Sequence, residues 1–264
     1  MLPGKERSQG RALNTDGSIV VGDCGPASNY DGGAVPFRWT AGTGMTSLGL
    51  PAGFNSAGAY DISPDGSIIV GDGQLASGGL GAWRWTESAG FTNLGQLGFI
   101  PFTRATGVSG DGQVIIGNGY GPGGFEAFRW TAAGGMVGLG DLPGGTNVSY
   151  ANGGINYDGS IIVGGSTSAE YAADAFIWDA VHGMRSLKHV LQDEHGLDLT
   201  GWNLEEAQGL SDDGLTISGW GFNPEGHREA WVAHIPEPAS ASLLLIGLGL
   251  AMRRRKRHQP VCRA

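Results

Sequence analysis

The sequence predicts an all-β fold: a β-propeller-like ring of about five repeats of roughly four antiparallel strands, followed by a short C-terminal hydrophobic helix. Three observations predict it. One motif recurs five times at a step near 47 residues, and each copy carries Asp-Gly between apolar runs. Glycine supplies 50 of the 264 residues, against a usual ~7%. So much glycine excludes a helical bundle, and the lack of a G-X-Y period with only 12 prolines excludes collagen. Hydrophobic residues at 40% are enough to bury a core.

The repeat reads A-x-x-[ILV]-[SN]-x-D-G-x-x-I-[VIS]-G. Its turns are Asp16-Gly17, Asp65-Gly66, Asp111-Gly112, Asp158-Gly159 and Asp213-Gly214. Asp-Gly between two apolar runs signals a hairpin, because glycine accepts the positive φ that the turn demands. A second element follows each copy: Phe37-Arg38-Trp39, Trp83-Arg84-Trp85, Phe128-Arg129-Trp130, Phe176-Ile177-Trp178 and Trp231-Val232-Ala233. Alternation puts its two aromatic positions on one strand face and the middle residue on the other. A third element starts at Gly44-Met45, Gly90-Phe91, Gly135-Met136 and Gly183-Met184, and the fifth repeat lacks it.

The period and the internal hairpin match a propeller blade rather than a parallel β-helix, whose rungs are shorter. The repeats divide the body at residues 10–56, 57–103, 104–149, 150–200 and 201–235, with residues 1–9 irregular. Four full repeats and a three-stranded fifth predict 19 strands. One insertion, residues 185–200, spaces Leu187, Val190, Leu191 and His195 as in a short amphipathic helix with a solvated polar side, stopped at Gly196.

The chemistry-bearing residues point to no catalytic, cofactor or metal site. The regular aspartates would ring one end of a propeller and suit calcium or a cationic ligand, but recurrence in every repeat suits turn-ordering Asx residues better. Arg38, Arg84 and Arg129 share a repeat position later held by Ile177 and Val232. They would form a basic cluster for a carboxylated sugar, or pack their stems between blades and pair with local carboxylates; the apolar replacements favour packing. The run from Gly117 to Gly121 opens no helix, so it is a turn and not a phosphate loop. No nucleophile elbow or zinc-protease motif is present. His182, His189, His195, His227 and His234 lack metal-ligand spacing, and Cys24 and Cys262 permit no disulfide framework in the body.

Charge is split along the chain. Residues 239–264 hold six basic groups and no acid, leaving the preceding 238 residues at −15. Such an acidic body excludes nucleic acid as a partner.

The tail carries the most specific signal. Pro236-Glu237-Pro238 precedes about fourteen apolar residues, then Arg253, Arg254, Arg255, Lys256 and Arg257. As a helix this apolar stretch is shorter than the ~20 residues that span a bilayer comfortably, and its basic end suits the cytoplasmic side. Residues 236–257 closely resemble the PEP-CTERM sorting signal, with residues 258–264 as an extra tail. The resemblance implies a Gram-negative exported protein, held transiently in the inner membrane and processed by an exosortase-type enzyme. Its destination would be the cell surface or the extracellular space.

The body, across residues 10–235, resembles the HAF family of probable extracellular repeats through its S-x-D-G-x-x-I-V-G and A-F-x-W elements. The histidine that names that family is replaced by Val35, Gly81, Glu126, Asp174 and Glu229. Residues 1–6 contain no apolar export segment, and with the missing twentieth strand this suggests a chain that begins late. The expectation is a non-enzymatic binding or matrix protein, with extracellular polysaccharide as a candidate ligand. Rival readings are a carbohydrate-active enzyme on a propeller scaffold and a permanently tail-anchored membrane protein.

Overall fold

The computed structural model describes residues 2–26 and 33–235. Among them, nineteen strands form five antiparallel sheets in chain order. The first contains β1 (Arg7–Leu13), β2 (Ile19–Gly25), β3 (Val35–Thr40) and β4 (Gly44–Ser47). The second contains β5 (Phe54–Ile62), β6 (Ile68–Leu75), β7 (Leu80–Thr86) and β8 (Gly90–Asn93). The third is β9 (Thr103–Val108), β10 (Val114–Tyr120), β11 (Phe125–Thr131) and β12 (Gly135–Gly138). The fourth is β13 (Ser149–Tyr150), β14 (Ile161–Ser166), β15 (Asp174–Asp179) and β16 (Gly183–Ser186). The fifth has three strands, β17 (Asn203–Leu210), β18 (Thr216–Phe222) and β19 (Arg228–His234). Because β1 begins at Arg7, the stretch expected to be irregular, residues 1–9, is partly strand.

Every Asp-Gly turn is built alike. The glycine φ lies between +68° and +75° in all five, which only glycine adopts freely. The aspartate Oδ1 accepts the amide two residues on, from Ser18, Ser67, Gln113, Ser160 and Leu215, at 2.9–3.0 Å. The Ser or Asn two residues before it accepts the first amide of the next strand, closing the turn from the other side. Each turn also touches its neighbour, since a Cβ at Gly66, Gly112, Gly159 or Gly214 would strike Ile19, Ile68, Val114 or Ile161 of the preceding sheet. The aspartates therefore order the turns, and the turn glycines seat one sheet on the next.

The Ile-x-Gly runs are apolar throughout because both faces of an interior sheet are buried. In the third sheet, Ile115, Phe128 and Trp130 pack back on Ile68, Val70 and Ala82. Val114, Ile116 and Ala127 pack forward on Ile162 and Phe176. Ile69 and Trp83 meet Ile19 and Val21 in the same way, and Val163 and Ile177 meet Ile217 and Trp231. The motif glycines let the first and second strands of each sheet approach closely: a Cβ at Gly22, Gly71, Gly117, Gly164 or Gly219 would overlap a carbonyl of the first strand of its own sheet. Four of the five first strands bulge against the second strand.

The insertion forms one α-helical turn over Leu187–His189 and one π-helical turn over Val190–Glu194. Leu187, Val190 and Leu191 are buried between the fourth and fifth sheets, so this segment is seated in the core on its apolar side. No described helix is long and apolar enough to cross a membrane. The expected C-terminal helix, Pro236 to Pro238 and Arg253 to Arg257 lie outside the described residues.

Candidate functional site

The first strands of adjacent sheets lie side by side, β1 against β5 and β5 against β9, and polar side chains gather along this inner edge. The residue following the motif glycine points into it: Asp23, Asp72 and Asn118 in the first three repeats. All three are buried, with no more than 6% of their surface exposed. Buried polar groups need partners, and here neighbouring sheets supply them.

Asp23 accepts Arg7 Nη2 at 3.0 Å and Arg11 Nε at 2.7 Å. The Arg11 guanidinium lies 4.6 Å from the centroid of the Tyr60 ring, and Arg104 lies 5.5 Å from the same centroid. Arg104 donates its Nε to Asp72 at 2.5 Å and its Nη2 to the Tyr60 hydroxyl at 3.3 Å. Burial raises the Asp72 carboxyl, with the Arg104 charge opposing it, and burial together with the Asp72 charge raises the Tyr60 phenol. Both cation–aromatic contacts cross from one sheet to the next.

A second polar group joins the later sheets. Asn118 accepts the Ala151 amide at 2.7 Å and donates to Asn152 Oδ1 at 3.1 Å. Asn152 in turn donates to Glu206 at 2.9 Å. The other Glu206 oxygen accepts the Trp220 indole at 3.1 Å, and Arg228 stacks 3.6 Å from the centroid of that ring. Glu206 is thereby held by two side-chain donors in a buried position.

Between the first two sheets this edge opens into a cleft of about 570 Å³. Arg7, Arg11, Asp23, Ser56, Tyr60 and Gln74 line it. Its volume falls within the ~300–1,000 Å³ usual for small-ligand sites. A smaller cleft of about 430 Å³ lies beside the helical insertion, lined by Glu170, Asp174, Arg185 and His189. Burial raises the Asp174 carboxyl there, while Ser186 Oγ donates to it at 3.0 Å.

The aspartates at 16, 65, 111, 158 and 213 stay at the turns and do not join the inner edge. Arg38, Arg84 and Arg129 form no ion pair among the described residues, which corrects the expected pairing with local carboxylates. Arg84 instead places its guanidinium 5.7 Å from the centroid of Trp130 in the next sheet. This position faces forward, so Ile177 is buried against the fifth sheet whereas Val232 is 72% exposed on the far face of that sheet. The histidines are dispersed: His182 contacts Asp179, His189 faces Glu170 and His234 meets Thr216. No three His, Cys, Asp or Glu side chains among the described residues are grouped to hold a metal.

The inner-edge residues were missed by sequence reasoning, although a signal existed. The position after the motif glycine reads Asp23, Asp72, Asn118, Gly165 and Trp220. It changes from repeat to repeat while the glycine before it holds constant, as expected of a position freed from the repeat's own packing.

Comparison with known proteins bears on the tail and the fold separately. Residues 234–257 match the model of the PEP-CTERM protein-sorting motif. No match supports the resemblance of the repeats to HAF sequences, which rests on the quoted motifs alone. No curated protein matches the chain. Among solved structures, TolB from Acinetobacter baumannii is similar at TM-score 0.55 and 16% identity, over 88% of this chain and 56% of that one. The chain thus spans little more than half the length of that relative. A putative TolB from Agrobacterium tumefaciens is similar at 0.52 and 10% identity, over 88% of this chain and 91% of that one. The β-propeller domain of the trilobed protease from Pyrococcus furiosus, described as having an open velcro topology, is similar at 0.50 and 13% identity, over 89% of this chain and 71% of that one. Among the described residues of this chain, no strand of the fifth sheet pairs with the first. The chain therefore carries a PEP-CTERM sorting motif behind a body with the all-β, antiparallel-sheet fold of a β-propeller.

Proposed function

We propose that this chain is an exported, exosortase-processed β-propeller with a non-catalytic binding role at the cell surface or in the extracellular matrix. The observation that carries this reading is the sorting motif at residues 234–257. Its parts divide the work physically. The Arg253–Arg257 block favours the cytoplasmic side of the inner membrane, and the short apolar stretch makes a transient stop rather than a secure anchor. Pro236-Glu237-Pro238 marks where an exosortase-type enzyme would cut. The binding role is supported by the cleft at the inner edge, where arginines, an aromatic ring and small polar groups converge on one opening.

Intact-mass analysis of surface-released protein, expressed in a host with an exosortase, tests the processing. Removal of residues 239–264 takes the net charge from −9 to −15, so the mature form runs smaller and more acidic. Neutral residues at Arg253 to Arg257 should reduce the processed fraction. Released material that still carries Cys262 would show that the tail is only an anchor.

A further inference from the structure

In a body whose residues 1–238 are net −15, the cleft between the first two sheets is lined by two arginines, Arg7 and Arg11, and two aspartates, Asp23 and Asp72. Arg104, outside the lining, neutralises Asp72, which leaves one positive charge in excess around the opening. Both aspartates are buried and engaged with arginines, so neither is free to repel an anion. Arg7 and Arg11 each keep 28% of their side-chain surface exposed. Arg11 uses only Nε on Asp23, which leaves its two terminal nitrogens without a hydrogen-bond partner among the described residues. Donors held in place but left unused are a ligand-binding feature, because the cost of ordering them is met before the ligand arrives.

We propose that this cleft binds the carboxylate of an acidic sugar, a proposal that rests on the binding role given above. A guanidinium presents parallel N–H donors that match the two oxygens of a carboxylate, which a neutral sugar lacks. The Tyr60 ring fixes the Arg11 plane from one side, while the two ion pairs to Asp23 fix both arginines along the strand. Ser56 and Gln74 line the same opening and supply neutral donors and acceptors suited to hydroxyls. Charge selects the carboxylate, and the neutral rim accepts the ring that carries it.

The test is calorimetric titration of the full chain in mild detergent with glucuronate, a polyglucuronate oligomer, and glucose at matched concentration. Binding of glucuronate with none of glucose is the expected result. Tighter binding of the oligomer would identify the polymer as the source of the ligand, and equal binding per residue would identify the free acid. Arg11→Met removes the free charged donors while the buried Asp23 keeps its ion pair to Arg7. This variant should lose about tenfold to a hundredfold in affinity, the scale of one charge-assisted hydrogen bond. Ser56→Phe fills the cleft without touching a charge and should abolish binding while the unfolding midpoint holds. Absence of glucuronate binding, equal binding of glucose, or unchanged affinity in both variants would overturn the proposal. None of these outcomes bears on tail processing, which the mass measurement reads separately.

Discussion

Replacing Gly117 by Ala isolates the close approach of first and second strands that every sheet repeats. The φ of Gly117 is not in the left-handed region, so alanine meets no backbone strain there. Reduced freedom of the unfolded chain would even favour alanine by about 0.4–1 kcal/mol. Against that, the new Cβ would sit 2.7 Å from the Phe128 ring and would overlap the carbonyl oxygen of Arg104. Real Cβ atoms essentially never approach closer than 3.0 Å, so the clash is roughly 1 Å deep. Neither neighbour can yield cheaply: Phe128 is fully buried, and Arg104 carries the ion pair to Asp72 on the adjacent sheet. Overpacking of this kind costs about 1–3 kcal/mol, and a backbone clash belongs at or above the upper end. The assay is chemical unfolding followed by tryptophan fluorescence, with Gly42→Ala as control. Gly42 has open space around its Cβ position and lacks a positive φ, so its substitution should change stability by less than about 0.5 kcal/mol. Equal midpoints for Gly117→Ala and the unaltered protein would refute the close-approach reasoning.

Three further perturbations test the packing and the electrostatics. Trp130→Ala removes a side chain that is 9% exposed and packs on the second sheet, and should cost about 3–5 kcal/mol by thermal or denaturant unfolding. Asp61 accepts the Val108 and Ile62 amides, yet burial lifts its carboxyl to about 6 from 3.8, so the folded state holds its proton more tightly. Stability should therefore fall as pH rises from about 4 to 6, by about 3 kcal/mol in all, and Asp61→Asn should flatten that slope. Asp16, Asp65, Asp158 and Asp213 move the other way, lowered chiefly by hydrogen bonds from Ser18, Ser63, Ser160 and Ser211. What they contribute is present above pH 3.8 and lost as pH falls through their lowered values, so a fourfold Asn variant should lose less stability in strong acid.

Strands, turns and the pairing of aromatics were legible because each is a local rule repeated five times. Asp65-Gly66 reads as a turn whatever surrounds it, and Trp83-Arg84-Trp85 reads as a strand with one apolar face. The direction each face looks was not legible, since that depends on which sheet follows. Arg84 and Val232 hold the same repeat position, yet one covers a tryptophan in the next sheet and the other faces solvent. The inner edge was hidden for a related reason. Arg104 meets Asp72 across 32 residues, and Asn152 meets Glu206 across 54. Such pairs belong to no repeat, and only the stacking of sheets creates them. The helical insertion shows the same limit, because Leu187 and Leu191 read as an amphipathic stripe but not as a plug between two sheets.

Among the described residues, every sheet is drawn from one unbroken stretch of chain, with no strand lent between the two ends. That contiguity sets the order in which the protein can fold. A sheet can pair completely once its own last strand is available, as the first sheet can when the chain has emerged only to Ser47. Contacts within a sheet are short in sequence, and short loops close quickly. Each newly finished sheet still shows an apolar forward face, such as Ile68 and Val70, until the next one covers it. Folding from the amino end thus passes through a series of temporarily sticky intermediates, each relieved by about 47 further residues. The fifth sheet breaks the pattern. Its forward face sets Thr216, Ser218 and His234 around the exposed Val232, so it is more polar than the faces before it.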